Sequence, residues 1–95
     1  MNKLLNFNGR PCEIVGTSRR RNKNPKWGLV HLTTVRYLDG QQPAVETVTT
    51  GRLARAKPIR ETETIYWRRV DDMVQQGMAA DRARDQARAE LNKGL

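Results

Sequence analysis

Thr17-Ser18-Arg19-Arg20-Arg21-Asn22-Lys23-Asn24-Pro25-Lys26-Trp27-Gly28 is the stretch around which the rest of the chain is arranged. It holds five basic side chains and no acidic one. It has no hydrophobic periodicity, and Asn24-Pro25 and Trp27-Gly28 are turn chemistry. The expectation is a loop from Thr17 to Gly28, held out by a strand on either side, with Trp27 at its base as the hinge onto the fold.

Working outward on the N-terminal side, Lys3 to Phe7 is a short apolar run. Asn8-Gly9 follows, and a type I′ hairpin turn favours this dipeptide because both central residues need positive φ. Arg10 to Val15 reads as the return strand, with Pro11 near its start, where a missing N–H is tolerated on an edge. Gly16 is expected to end it.

On the C-terminal side, Trp27 to Leu38 is rich in β-branched and aromatic residues. Trp27, Leu29, His31, Thr33, Val35 and Tyr37 fall on one face, and Val30, Leu32, Thr34, Arg36 and Leu38 on the other. Asp39-Gly40 opens a turn, and Ala44 to Thr50 alternates as a further strand. Gly51-Arg52 turns again, and Leu53 to Ala56 is read as a last short strand. About five short strands joined by turns make a meander, which most readily closes as an SH3-like barrel.

Lys57-Pro58 reads as a break, after which the pattern becomes helical. Thr62 or Thr64 is placed to cap the start. Tyr66, Val70, Met73 and Val74 form a stripe at helical spacing, and Gly77 suits the position just past a helix end. Ala80, Ala83, Ala87 and Leu91 continue on one face. The tail reads as two helices broken near Gly77, one long bent helix being the alternative, with fraying from Asn92 to Leu95. Tyr66 and Trp67 are expected to anchor tail to barrel. The fold class is therefore α+β, one domain over 1–95, with a small barrel at 3–56 and a helical tail at 61–93.

Charge separates the same two parts. Residues 1–60 carry a net charge of +9 and residues 61–95 a net of −1, giving the chain its formal +8. A positive field of this size raises the rate of encounter with polyanions, so the partner-facing surface is assigned to the first part.

Chemistry other than binding has little to work with. His31 is the only histidine and Cys12 the only cysteine, which excludes an intrachain disulfide and an ordinary zinc site. Cys12 reads as a small core residue in a reducing, cytoplasmic compartment. No phosphate-cradling glycine loop is present. Asp71-Asp72, on a charged helix face, reads as a solvated pair. No run is long enough for a signal-peptide core or a membrane span. No cofactor, catalytic residue, metal or small-molecule substrate is expected.

Phe7-Asn8-Gly9-Arg10-Pro11-Cys12-Glu13-Ile14-Val15 resembles the opening of the N-terminal KOW-like domain of elongation factor P and the hypusine-containing eukaryotic initiation factor. The likeness continues through Lys26-Trp27-Gly28, Val30-His31-Leu32, Asp39-Gly40 and Glu46-Thr47, covering roughly residues 5–55. The resemblance implies an SH3-like barrel whose lysine-bearing loop reaches RNA, with Lys26 in the place of that lysine. The family's preceding glycine is Pro25 here.

These readings converge on non-catalytic binding of RNA or DNA with low sequence specificity. The candidate phosphate contacts are Arg19, Arg20, Arg21, Lys23 and Lys26, extended by Arg36, Arg52 and Arg55, with Trp27 available to stack on a base. The alternative is a protein-interaction module, a small regulator or inhibitor of a nucleic-acid-processing machine. In that case residues 61–93 would supply a contact to a partner or to a second copy.

Overall fold

Asn8 and Gly9 both take positive φ (54° and 72°) and close the first hairpin between β1 (Leu5–Phe7) and β2 (Arg10–Arg21). This computed structural model describes residues 3–93. After β2 the chain makes a 3₁₀ turn at Pro25–Trp27 and returns as β3 (Leu29–Tyr37) and β4 (Val45–Thr49). One short helical turn, α1 (Thr50–Leu53), leads to β5 (Lys57–Pro58). Two helices finish the chain, α2 (Glu61–Gln75) and α3 (Ala80–Lys93). The architecture is α+β, an antiparallel five-stranded sheet followed by a helical hairpin.

The strand order is β4-β3-β2-β1-β5 and the sheet is open, with β4 and β5 as its edges. Leu53–Ala56, read as the last strand, is instead the end of α1 and the turn after it. The fifth strand comes one step later, at Lys57–Pro58, where Leu5 pairs with Pro58 and Asn6 with Lys57. Leu53 enters the sheet core from the helical turn.

The largest departure concerns the basic stretch. Gly16 does not end β2. The register shifts between Ile14 and Gly16, which is a β-bulge, and the strand continues to Arg21. A glycine inside a strand often marks such a bulge, and the bulge adds local twist and bend. Beyond it, Thr17 pairs with Thr33 and each following residue pairs in turn until Arg21 meets Leu29. The first five residues of the expected loop, Thr17 to Arg21, are therefore strand, and the connection is Asn22 to Gly28.

Neighbouring strands fall away along this hairpin. β1 accompanies β2 only as far as Cys12, and β4 accompanies β3 only from Leu32 inward. Outward of that point β2 and β3 are a two-stranded arm. The molecule accordingly measures 57 × 25 × 21 Å. Its Cα radius of gyration is 15.9 Å, against about 12 Å for a compact chain of this length.

Two apolar cores form. Phe7, Cys12, Val35, Tyr37, Val48 and Leu53 pack on one face of the sheet beneath α1. Val70, Met73, Ala83 and Ala87 pack between α2 and α3, with Tyr66, Trp67, Val74 and Met78 around them. Tyr66 and Trp67 thus join helix to helix, not tail to sheet, and the Tyr66 hydroxyl donates to the Arg84 carbonyl at 3.3 Å. Alanines at 83 and 87 let α3 approach closely, and the larger rings fill the space from α2.

The break near Gly77 is as expected. Gly77 N–H bonds to the Val74 carbonyl and Met78 N–H to the Met73 carbonyl, the paired bonds of a Schellman motif. The start of α2 differs from expectation. Its cap is Arg60, with no side-chain capping bond, while Glu61 and Glu63 sit in the first turn, where the helix dipole favours anions. α3 runs through Asn92 and Lys93. The remainder of the expected frayed end, Gly94 and Leu95, lies outside the described residues.

Tail and sheet are joined through ion pairs. Glu13 and Arg36 sit opposite one another, alternating with the core-facing Cys12, Tyr37 and Val35, so they project from the other face. Asp71 of α2 accepts from Arg36 Nη1 at 2.6 Å and Nη2 at 2.9 Å. Glu13 accepts from the same guanidinium at 2.7 and 3.1 Å, and from Arg68 at 3.4 Å. The turn after β3 touches the helices as well. A Cβ on Gly40 would lie 2.9 Å from the Ala80 Cβ and 3.0 Å from Val74 Cγ2.

Candidate nucleic-acid interface

The arm's chemistry is set by strand alternation. Arg19 pairs with His31, Arg20 with Val30 and Arg21 with Leu29. Successive side chains point to opposite faces. Arg19, Arg21, His31 and Leu29 therefore share the face that continues into the sheet core through Thr33. Arg20 and Val30 occupy the reverse face. All three arginines are exposed. β2 supplies the charge of the arm, and β3 supplies its apolar surface, with Leu29 51% exposed.

The connection at the end of the arm is closed by its own hydrogen bonds. Asn22 N–H donates to the Gly28 carbonyl at 2.9 Å, and Trp27 N–H to the Asn24 carbonyl at 3.0 Å. Asn22 Oδ1 accepts from the Asn24 N–H and Asn24 Oδ1 from the Lys26 N–H, both at 3.1 Å. These are asparagine-built turns, which is why Asn recurs here. Gly28 has φ 67° and ψ −134°, a region that side-chain-bearing residues avoid.

This turn presents Lys23, Lys26 and Trp27 at the far end of the molecule. Trp27 is 72% exposed. It was expected at the base of the loop as a hinge onto the fold. With the strands extended to Arg21 and Leu29, it sits at the tip instead, away from either core.

The remaining candidates separate. Arg36 is not available to a polyanion, because Asp71 and Glu13 occupy its guanidinium. Hydrogen bonding to Asp71, then to Glu13, outweighs burial and raises its pKa above the ordinary arginine value. Asp71, expected to be solvated, is its half-buried partner, whereas Asp72 is exposed and pairs with Arg69. Arg52 and Arg55 are exposed on α1 and the turn after it, lining a cleft with Asn6, Asn8 and Thr49. The Arg52 guanidinium lies 5.9 Å from the Phe7 ring centroid. A second cleft at the root of the arm, lined by Thr17, Arg19, His31 and Thr50, adjoins the first through α1.

His31 was not among the candidate contacts. It is exposed and directly opposite Arg19. The signal was present in the alternation that placed it on the same face as Leu29.

Pairing sets half of the body's ten arginines apart, since Arg52, Arg55, Arg60, Arg82 and Arg88 have no carboxylate partner among the described residues. Arg10, Arg36, Arg68, Arg69 and Arg84 all hold carboxylates. Arg10 is bidentate to Asp39 at 2.7 and 2.8 Å and lies 3.8 Å over the Tyr37 ring. Burial pushes the Asp39 carboxyl up, but Arg10 outweighs it and holds the group below its usual range. Arg19, Arg20, Arg21, Lys23 and Lys26 have no acidic partner among the described residues.

Cys12 is fully buried, and burial pushes its thiol up to about 11, so little thiolate forms near neutrality. Among the described residues no group of three His, Cys, Asp or Glu side chains is placed to hold a metal, and no helix is long and apolar enough to cross a membrane. Comparison with family models, with curated proteins and with solved structures gives no match.

Proposed function

We propose that this chain is a non-catalytic nucleic-acid-binding protein that grips phosphates with the β2–β3 arm. The observation that carries the reading is the contrast in pairing. Five clustered cations on the arm lack acidic partners among the described residues, while five of the body's ten arginines are neutralised internally. Unpaired guanidinium groups suit bidentate contact with phosphate oxygens. Arg19, Arg20 and Arg21 would carry most of the affinity, Lys23 and Lys26 would add point charges, and Trp27 would give an apolar contact. Arg52 and Arg55 form a secondary cationic pair on the side of Arg19.

The pairing of β5 back onto β1 is how a five-stranded meander begins to curl towards a barrel. It supports, within the same proposal, kinship with SH3-like KOW domains, with Lys26 at the tip as that resemblance implies.

The second reading is a protein-binding regulator that docks through the tail. It is favoured by Ile65, a large apolar residue left 56% exposed on α2.

Salt-titrated binding to short DNA and RNA separates the two. Nucleic-acid binding predicts affinity that falls steeply with salt, and an Arg19/Arg20/Arg21→Ala protein weaker by roughly ten- to a hundredfold near physiological salt. No binding by the wild type even at low salt would refute the reading.

A further inference from the structure

Resting on the nucleic-acid reading, the geometry points to a particular partner: we infer that the arm enters the major groove of B-form duplex DNA. The first reason is shape. The arm is a two-stranded ribbon with no third strand flanking it outward of Leu32. Paired strands lie about 4.8 Å apart, and the major groove, about 12 Å wide and 8.5 Å deep, admits such a ribbon. From the Thr17–Thr33 pair to the Arg21–Leu29 pair the arm extends about 13 Å at the usual strand rise, before the terminal turn is added. That reach exceeds the depth of the groove.

The second reason is the distribution of charge. Arg19 and Arg21 project from one face and Arg20 from the other, with Lys23 and Lys26 at the end. A ribbon lying across a single strand turns one face to it and leaves the other in water. A ribbon set into a groove has a phosphate backbone on each side, so cations on both faces find partners. The A-form RNA major groove is too narrow for side chains to enter and read, and its minor groove is too shallow to flank a ribbon. At the tip the exposed Trp27 ring would meet base edges and thymine methyl groups, the apolar features of the major groove.

The test uses the full chain with a DNA duplex, an RNA duplex and a single DNA strand of one sequence, each titrated with salt. The DNA duplex should bind most tightly. Arg19→Gln and Arg20→Gln should each lower the salt slope on it by about 0.9, because each removes one phosphate contact. Equal or tighter binding of the single strand or the RNA duplex overturns the groove while leaving nucleic-acid binding in place. So does an Arg20→Gln protein whose slope equals the wild type's. Failure of all three probes at low salt removes both proposals together.

Discussion

The ion-paired arginines of the body and the arginines of the arm use the same residue in opposite ways. In the body, Arg36 ties Glu13 of β2 to Asp71 of α2, and Arg10 ties Asp39 to the Tyr37 ring. In the arm, Arg19, Arg20 and Arg21 are held in place by the backbone ladder alone, and their heads are exposed. Half-buried guanidinium groups with fixed carboxylates are structural, and changing them costs stability. Exposed ones on a two-stranded ribbon contribute little to stability and remain available for an external anion. Net charge alone does not reveal this, since both kinds count equally towards the +8.

The sharpest way to break the comparison is in the body. Arg36→Ala leaves Asp71 and Glu13 half-buried without their main partner. It is expected to cost about 3 kcal/mol, read as a lowered urea midpoint. A loss below about 0.5 kcal/mol, the range of ordinary surface changes, would mean the ion pairs do not join tail to sheet.

Two glycines make a matched pair. Gly40 and Gly28 both have positive φ, so alanine strains the backbone at either. At Gly40 the added Cβ also meets Ala80 and Val74, whereas at Gly28 nothing lies within 4 Å. Gly40→Ala should cost about 2–3 kcal/mol and loosen the helical hairpin, while Gly28→Ala should cost about 1 kcal/mol and disturb only the tip. Hydrogen exchange would locate each effect.

Acid should act on the body through Asp39. The folded Asp39 carboxyl sits below its ordinary value, so its contribution is complete above the usual carboxylate range and is lost as pH falls through the folded pKa. Asp39→Asn should flatten that limb of the stability–pH curve. Removing the arm's arginines should not change the curve's shape.

The smallest expected effect is on the stability of the Arg19/Arg20/Arg21→Ala protein. It should remain within about 0.5 kcal/mol of the wild type, since these are exposed side chains without internal partners. A large loss would show that the arm's arginines hold the fold together.

What the sequence made legible, and what it hid, follows the same division. Asn8-Gly9, the alternation of Leu29 to Tyr37, the strand near Val45 and the break at Gly77 each carry a local rule, and each was read from it. Thr17–Arg21 carries none. Polar residues without alternation read as loop, and only the partner strand Leu29–Thr33 makes them a ribbon. Gly16 signals a stop and a bulge with the same letter. Leu53 and Pro58 belong to elements of four and two residues, too short for any periodicity to distinguish helix from strand. Arg36 was indistinguishable from Arg20 because its partner Asp71 lies 35 positions away. The site's residue types were readable, but which of them remained unpaired was a tertiary fact.

The most direct measurement compares two charge-matched triple variants by their salt slopes on duplex DNA. One is Arg19/Arg20/Arg21→Gln in the arm, and the other is Arg82/Arg84/Arg88→Gln on α3. Each removes three positive charges. Binding through the arm predicts that the first lowers the slope by about 2–3 while the second leaves it nearly unchanged. Equal reductions in both would contradict the account, because binding would then follow net charge and not the arm.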